Sequence, residues 1–164
     1  MTGKSRSVRS AARFSATMYK GGQKHMTERS MLGATGGCQC GAVRYTINRE
    51  PKQLIICHCT QCQRRYGAFG MSLFCEADAV QLTGNLKSYR KVADSGRSAV
   101  IGFCSDCGTT ITARPEWRPD SLVIRAGTLD DTKSLQPDMH IWTSSKQDWV
   151  TIPDGVPSYP RQPD

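Results

Sequence analysis

Seven of the eight cysteines in this 164-residue chain fall into three close groups. The groups are Cys38-x-Cys40, Cys57-x-Cys59-x-x-Cys62 and Cys104-x-x-Cys107. Side chains two residues apart on a β-strand point to the same face, so each Cys-x-Cys pair can hold one ion through both sulfurs. A Cys-x-x-Cys segment followed by glycine, here Gly108, is typical of a hairpin turn that binds zinc. These spacings predict thiolate–metal chemistry.

The cysteine content also favours metal binding over disulfide formation. Eight cysteines in 164 residues are about 5% of the chain, below the roughly 8–10% of short disulfide scaffolds. No apolar run in the sequence is long enough to cross a membrane or to form a secretory signal. We therefore expect a cytoplasmic protein, because a reducing compartment keeps thiols free for ligation or catalysis.

Counting ligands divides the seven thiols into four and three. A structural zinc is closed by four protein ligands, whereas a catalytic zinc keeps one position for water or substrate. The four-cysteine set is expected to form a closed site and the three-cysteine set an open one. The closed set is Cys38, Cys40, Cys104 and Cys107, and the open set is Cys57, Cys59 and Cys62.

Two other interpretations of the cysteines stay open. All seven could serve purely structural ions, with His140 or Cys75 as an eighth ligand, or the triplet could be redox-active. Cys75 stands alone in a predicted strand, and we expect it to act as a small buried hydrophobic residue. If Cys57 and Cys59 share one strand face, His58 must point away from their ion.

The elements that position these residues are predicted to be mainly β. Val43, Tyr45 and Ile47 alternate with polar residues, which is the pattern of a half-buried strand. The segment from Thr60 to about Tyr66 is predicted to be a short helix with Cys62 in its first turn, where thiolates are favoured. Further strands are predicted at Leu54–His58, Met71–Cys75, Val80–Leu82, Leu86–Lys91, Ser98–Phe103, Thr109–Ala113 and Leu122–Ala126. This spacing of strands predicts an all-β domain with one short helix.

The positive charge of the chain is concentrated at its N-terminus. The chain has 22 basic and 14 acidic side chains, but six basic and no acidic side chains lie within residues 1–27. The remainder carries 16 basic and 14 acidic side chains, which argues against broad binding to nucleic-acid phosphates. We divide the chain into a basic leader, 1–34, and a zinc domain, 35–160. The leader is expected to be disordered, with a transit peptide, a misplaced translation start or a nucleic-acid-binding arm as alternatives.

Several segments together resemble one protein family. They are Gly37-Cys38-Gln39-Cys40-Gly41-Ala42-Val43, Cys57-His58-Cys59-Thr60-Gln61-Cys62 with Gly67-Ala68, Phe103-Cys104-Ser105-Asp106-Cys107-Gly108, and His140-Ile141-Trp142-Thr143. The chain from about Gly36 to Tyr159 resembles the glutathione-dependent formaldehyde-activating enzymes, also called the CENP-V/GFA family, which have an Mss4-like fold. The resemblance implies a structural zinc on the four-cysteine set and a catalytic zinc on the three-cysteine set. It also implies carbon–sulfur lyase chemistry, in which glutathione and formaldehyde form S-hydroxymethylglutathione reversibly.

The open position of the second zinc is expected to bind the substrate thiol. Three thiolates give a Zn²⁺ site a net charge of −1, which weakens it as an electrophile for a carbonyl. A fourth anionic ligand would need nearby cations, for which Arg64 and Arg65 are candidates, and these could also pair with glutathione carboxylates. By the family resemblance, His140 and Trp142 could line the pocket. The rival hypotheses are a non-catalytic zinc module that binds a protein or chromatin partner, and a redox sensor.

Overall fold

The computed structural model describes residues 30–93 and 95–163. These residues form one α-helix and ten strands, and the strands form two mainly antiparallel sheets. A small sheet has the order β1-β2-β5, and a large one has the order β10-β3-β4-β9-β8-β7-β6. The strands are β1 (Ala34–Gly37), β2 (Arg44–Ile47), β3 (Gln53–Cys57), β4 (Gly70–Glu76), β5 (Val80–Thr83), β6 (Leu86–Val92), β7 (Ser98–Cys104), β8 (Thr110–Pro115), β9 (Ser121–Arg125) and β10 (Met139–Ile141). The helix α1 spans Thr60–Tyr66, and short 3₁₀ turns lie at Ala77–Ala79, Ala126–Thr128 and Thr143–Ser145. The predicted all-β class with one short helix is confirmed.

Strands β1 and β10 were not predicted from the sequence. β1 contains Gly36 and Gly37, which have low strand propensity, and β10 is only three residues long. Gly36 is required because it pairs directly with Tyr45, and a Cβ atom at Gly36 would overlap the tyrosine ring. The Tyr45 ring and the Thr128 carbonyl occupy the space that a side chain at Gly36 would need, which explains a strand that lacks a strand-like composition.

The two faces of the large sheet have different roles. One face packs against the small sheet and forms the main core. This core includes Leu73, Cys75 and Ile124 from the large sheet, and Val43 and Ile47, which lie just before β2 and at its end. Cys75 is 1% exposed, as expected for a small hydrophobic residue. The opposite face carries a smaller apolar cluster of Ile101, Ala113 and Val123, with Phe74 and Ala99 packed against it. That second face forms the floor of the cleft described below.

The N-terminal end of the described chain belongs to the domain. Met31 is buried in the main core, and its backbone N–H donates to the Glu50 carboxylate over 3.0 Å. The predicted division assigns residues 30–34 to the leader, because the sequence has no periodic apolar pattern there. The rest of the predicted leader, residues 1–29, lies outside the described residues. Within the part of the chain that the structure describes, no helix is long and apolar enough to cross a membrane.

The C-terminal segment is fixed along the edge of the large sheet. The His140 backbone N–H donates to the Pro157 carbonyl over 2.8 Å, and the Tyr159 N–H donates to the His140 carbonyl over 2.9 Å. The Ser144 hydroxyl donates to the Pro160 carbonyl over 2.7 Å. These bonds direct the last described residues, Gln162 and Pro163, to the cleft on the large sheet.

Candidate metal centres

The first candidate centre brings together two hairpin turns from different sheets. Cys38 and Cys40 follow β1, whereas Cys104 ends β7 and Cys107 lies in the next turn. The four sulfur atoms all lie within 4.8 Å of one another, with Cys38 Sγ 3.4 Å from Cys40 Sγ and Cys40 Sγ 3.8 Å from Cys104 Sγ. A tetrahedral zinc with bonds of about 2.3 Å separates its sulfurs by roughly 3.8 Å. The donor set therefore fits one closed zinc ion.

Backbone and hydroxyl donors around this centre favour thiolates. The Val43 N–H donates to Cys38 Sγ over 3.2 Å. Hydrogen bonds from the Thr109 hydroxyl and backbone lower the pKa of the Cys107 thiol to about 5. Thiolates are the metal-binding form of cysteine, so these contacts favour the binding of a cation at this centre. Cys38 and Cys104 are also part of the main core, so an ion here would join the two sheets at their packed interface.

The second candidate centre lies where β3 passes into α1. Cys57 is the last residue of β3, Cys59 is the N-cap of α1, and Cys62 is in the first turn of that helix. Their three sulfur atoms also lie within 4.8 Å of one another. Cys59 Sγ accepts the Cys62 backbone N–H over 3.4 Å, and hydrogen bonds from the Cys57 and Cys62 thiols lower the pKa of Cys59 to about 2. The same contacts raise the pKa of Cys57, so the cluster already favours one shared thiolate.

This second cluster offers three sulfur atoms as possible metal ligands. Among residues 30–93 and 95–163, no fourth His, Cys, Asp or Glu brings a ligand atom within 4.8 Å of all three sulfurs. His140 and Cys75, the alternative eighth ligands, do not join either cluster. The donor chemistry fits a zinc ion that keeps one position for an outside ligand.

The backbone around the second cluster is held by polar side chains. The His58 carbonyl accepts hydrogen bonds from Gln63 Nε2 over 2.7 Å and from the Ser145 hydroxyl over 3.0 Å. Gln63 Nε2 also donates to the Ser145 carbonyl over 2.6 Å. These bonds fix the peptide between Cys57 and Cys59, and such outer contacts orient metal ligands. The His58 side chain is fully buried on the side away from the cleft, as its place between two ligands predicted.

The three cysteines open into a cleft of about 420 Å³ on the second face of the large sheet. The apolar floor described above lies beneath it, and Trp117 and Trp142 form parts of its wall. Four cationic side chains line the cleft, and none of its described lining residues is Asp or Glu. The four are Lys91, Arg97, Arg118 and Arg125.

Two of these cations interact electrostatically with the cysteines. The positive charge of Lys91 favours the thiolate of Cys59, and the charge of Arg125 favours that of Cys62. Burial lowers the pKa of Lys91, with the nearby Arg65 charge adding to the effect. A cleft that has cations beside three cysteine sulfur atoms is suited to an anionic ligand that carries a sulfur donor.

The predicted substrate-binding residues are only partly at this cleft. Trp142 lines it, and this tryptophan has φ 59° and ψ 39°, the left-handed conformation that is rare for a non-glycine residue. His140 does not line the cleft, because it points to the other sheet face between Met139 and Ile141, which do. Its Nδ1 instead lies 2.8 Å from His58 Nε2.

Arg64 and Arg65 also lie outside the cleft lining. Arg64 is exposed on α1, and the Arg65 guanidinium lies 5.8 Å from the centroid of the Tyr89 ring. The cations that do face the cysteines, Lys91 and Arg125, were missed. Arg125 is placed by the pairing of β9 with β4, and alternation within β9 puts Val123 and Arg125 on the same face. Lys91 lies on the edge strand β6, whose end contacts α1 where Gln61 Nε2 donates to the Val92 carbonyl.

Comparison with known proteins places the chain in a family. A family model described as "Glutathione-dependent formaldehyde-activating enzyme" matches residues 33–145, which include all seven clustered cysteines. The chain belongs to this family. The resemblance drawn from the cysteine motifs is thereby confirmed.

Two individual proteins show how far the similarity extends. A protein of Halomonas elongata named "Putative glutathione-dependent formaldehyde-activating enzyme" is 26% identical over 125 residues, covering 71% of this chain and 79% of that protein. A crystal structure of a Rhodobacter sphaeroides protein, a structural genomics target, is 18% identical with a TM-score of 0.47. It covers 76% of this chain and 98% of the Rhodobacter chain.

Proposed function

We propose that this chain is a zinc-dependent carbon–sulfur lyase acting on a thiol–aldehyde adduct such as S-hydroxymethylglutathione. A structural zinc would be held by Cys38, Cys40, Cys104 and Cys107, and a second, catalytic zinc by Cys57, Cys59 and Cys62. One observation carries the proposal: the three-cysteine cluster lacks a fourth described ligand and opens into a cationic cleft. A purely structural ion would instead be closed by four protein ligands.

The proposed reaction balances without an oxidant or reductant. In the cleavage direction, the hydroxyl of the adduct loses its proton to water, the carbon–oxygen double bond forms, and the carbon–sulfur bond breaks; the released thiolate later takes up a proton from water. The bonding electrons leave with the sulfur as a thiolate, so the products are glutathione and formaldehyde. A bound zinc would supply stabilisation of that thiolate, which is otherwise a small fraction of a free thiol at neutral pH.

The chain's own residues would bind and orient the substrate. The cleft volume of about 420 Å³ lies within the usual range of small-molecule sites. Glutathione carries more carboxylate than ammonium charge at neutral pH, and the exposed Arg97 and Arg118 are suited to pair with its carboxylates. Trp117 and Trp142 supply apolar contact along the peptide part of the ligand. The reaction needs reduced thiols, so we place it in the cytoplasm.

Metal analysis combined with an exchange assay tests this function. Purified protein should contain two zinc ions per chain, and NMR should detect accelerated exchange between formaldehyde, glutathione and their adduct. Cys59→Ser should lose one zinc and the acceleration, whereas Cys75→Ala, a change in a cysteine outside both clusters, should keep both zinc ions. One zinc per chain, or no acceleration by the fully loaded protein, would favour the non-catalytic zinc module instead.

A further inference from the structure

Arg125 occupies an unusual position beside the three-cysteine cluster. It is the last residue of β9 and pairs with Ser72 of β4, which in turn pairs with Ile55, two residues before Cys57. Arg125 Nη1 donates to the Ser72 hydroxyl over 2.7 Å, and the guanidinium lies 4.9 Å from the centroid of the Tyr66 ring. Strand pairing, a hydroxyl and an aromatic ring thus hold this half-buried side chain at the cleft.

The charge of Arg125 is not neutralised by a carboxylate in the described residues. The ion pairs of the described chain involve other arginines and lysines, all at exposed or half-exposed positions. In addition, Arg125 Nε is buried and has no hydrogen-bond partner in residues 30–93 and 95–163. A buried donor without a partner costs free energy, and such groups occur where a ligand or reacting group completes the hydrogen bonding.

We propose that Arg125 is a catalytic residue that binds the oxygen atom of the thiol–aldehyde adduct, an inference that rests on the proposed lyase function. During cleavage the adduct hydroxyl loses its proton and its oxygen becomes the carbonyl oxygen of the aldehyde. In the reverse direction, the thiolate sulfur attacks the carbonyl carbon and the oxygen takes the electron pair, then a proton. The oxygen carries negative charge between these states, and Arg125 stabilises that charge as a fixed cationic donor.

Two of the other cleft cations, Arg97 and Arg118, are less suited to this oxygen. Arg97 and Arg118 are exposed, and the Arg97 guanidinium lies 5.4 Å from the centroid of the Trp117 ring. Their exposure matches recognition of carboxylates at the ends of a ligand rather than of the reacting atoms. Arg125 is the cation whose guanidinium is held from two sides beside the sulfur donors.

The test separates oxygen binding from carboxylate binding. Arg125→Gln should lower kcat for adduct cleavage by about 100-fold, the usual effect of losing one oxyanion donor. Affinity for S-methylglutathione, which has the carboxylates but no adduct oxygen, should change less than about threefold in calorimetry. Zinc content should stay at two ions per chain. Lys87→Gln, which removes one exposed positive charge outside the cleft, serves as the matched control and should keep wild-type kcat.

The remaining outcomes decide between the role of Arg125 and the lyase function. An unchanged kcat in Arg125→Gln, or a loss confined to S-methylglutathione affinity, rules out the assignment to the oxygen. If Arg125→Gln loses zinc, the variant Arg125→Lys is used instead, because it keeps the positive charge. A tenfold or greater loss of kcat in Arg125→Lys at full zinc content supports the proposal. A wild-type kcat in Arg125→Lys overturns it. A wild-type protein that is zinc-loaded but inactive refutes the lyase function itself, independently of Arg125.

Discussion

His58 Nε2 lies 2.8 Å from His140 Nδ1, and the two imidazole rings are stacked with their centroids 5.1 Å apart. One ring must donate and the other accept, so at least the accepting ring is neutral. The outward nitrogens, His58 Nδ1 and His140 Nε2, are buried without a partner among the described residues. A charged ring would therefore add a proton that has no acceptor. The pair joins β10 to the loop that carries Cys59, behind the second cluster.

This histidine pair predicts a loss of stability in acid. Burial lowers the pKa of His140 to about 4 from its ordinary value near 6.5. The unfolded chain binds more protons between these values, so stability is complete above pH 6.5 and falls as the pH approaches 4. We expect the protein to lose about 3 kcal/mol of stability across that window, because each pKa unit corresponds to about 1.4 kcal/mol. Chemical denaturation of wild type and His140→Gln at a series of pH values measures it. Parallel stability curves for the two proteins would contradict the prediction.

Cys59→Ser should remove the second zinc and leave the fold intact. Serine is a favourable N-cap, so its hydroxyl can replace the thiol as acceptor for the Cys62 N–H and preserve α1. Expected results are one zinc ion per chain, no lyase activity and an unfolding free energy within about 1 kcal/mol of wild type. Zinc analysis and denaturant titration measure these quantities. Global unfolding of the variant would mean that the second ion is structural.

Cys40→Ser should have the opposite effect on stability. Cys40 is exposed, so its substitution leaves no cavity in the core, whereas Cys104→Ser would combine metal loss with a buried polar group. Loss of a closed zinc site removes binding energy that is largely folding energy. We expect destabilisation above about 4 kcal/mol, a large part of the roughly 5–15 kcal/mol typical of a domain. Near-ultraviolet circular dichroism checks this, and a native spectrum with full stability would disprove it.

Gly70→Ala should weaken the second zinc site without removing a ligand. A Cβ atom at Gly70 would lie 3.0 Å from Tyr66 Cδ2 and 3.2 Å from Cys62 Sγ. One of these groups must shift, and displacement of Cys62 should reduce zinc affinity about tenfold, as for other outer-shell changes. Competition with a chelator measures the affinity. Gly127→Ala is the control, because its Cβ would meet Met71 Cε at an ordinary 3.6 Å. Equal zinc affinities in the two variants would refute the steric argument.

Substitutions of Trp142 should affect the stability of the fold and the binding of ligand in different ways. Its left-handed backbone costs a non-glycine residue about 1–2 kcal/mol. Trp142→Gly and Trp142→Ala both remove the ring from the cleft, but only glycine relieves the backbone strain. We expect the glycine variant to be about 1 kcal/mol more stable than the alanine variant, while both bind glutathione more weakly than wild type. Thermal unfolding and calorimetry test the two halves of this expectation separately.

Local sequence patterns predicted most of the strands, the helix and the segments that carry the clustered cysteines. The helix at Thr60–Tyr66 and the strands flanking the cysteines follow from alternation, turn residues and helix length, which are local properties. The two cysteine pairs of the four-cysteine set meet because the segment after β1 lies against the turn after β7, where the Gln39 N–H donates to the Thr109 hydroxyl. Ligand counting anticipated the division into four and three. β1 was missed because its glycines serve packing rather than strand propensity.

Features that depend on long-range pairing were not accessible from the sequence. Arg125 reaches the cysteines through its pairing with Ser72, and no motif near Cys62 indicates that contact. Sequence proximity instead favoured Arg64 and Arg65, which lie outside the cleft lining. Residues two apart on a strand share a face, which favours placing His140 and Trp142 together. Instead β10 ends at Ile141, and the left-handed backbone of Trp142 breaks the alternation, so Trp142 lines the cleft and His140 does not. The parallel pairing of β10 with β3 decided that only its neighbours face the cleft.

The direction of the C-terminal segment has a practical consequence for purification. Because Gln162 and Pro163 line the cleft, a polyhistidine tag joined to this end of the chain would start close to the opening that leads to the three cysteines. Its imidazoles could then bind an ion held by the three sulfur atoms and act as an artificial fourth donor. Ion stoichiometry and turnover should therefore be measured on protein tagged at the other terminus, or after the tag has been cleaved.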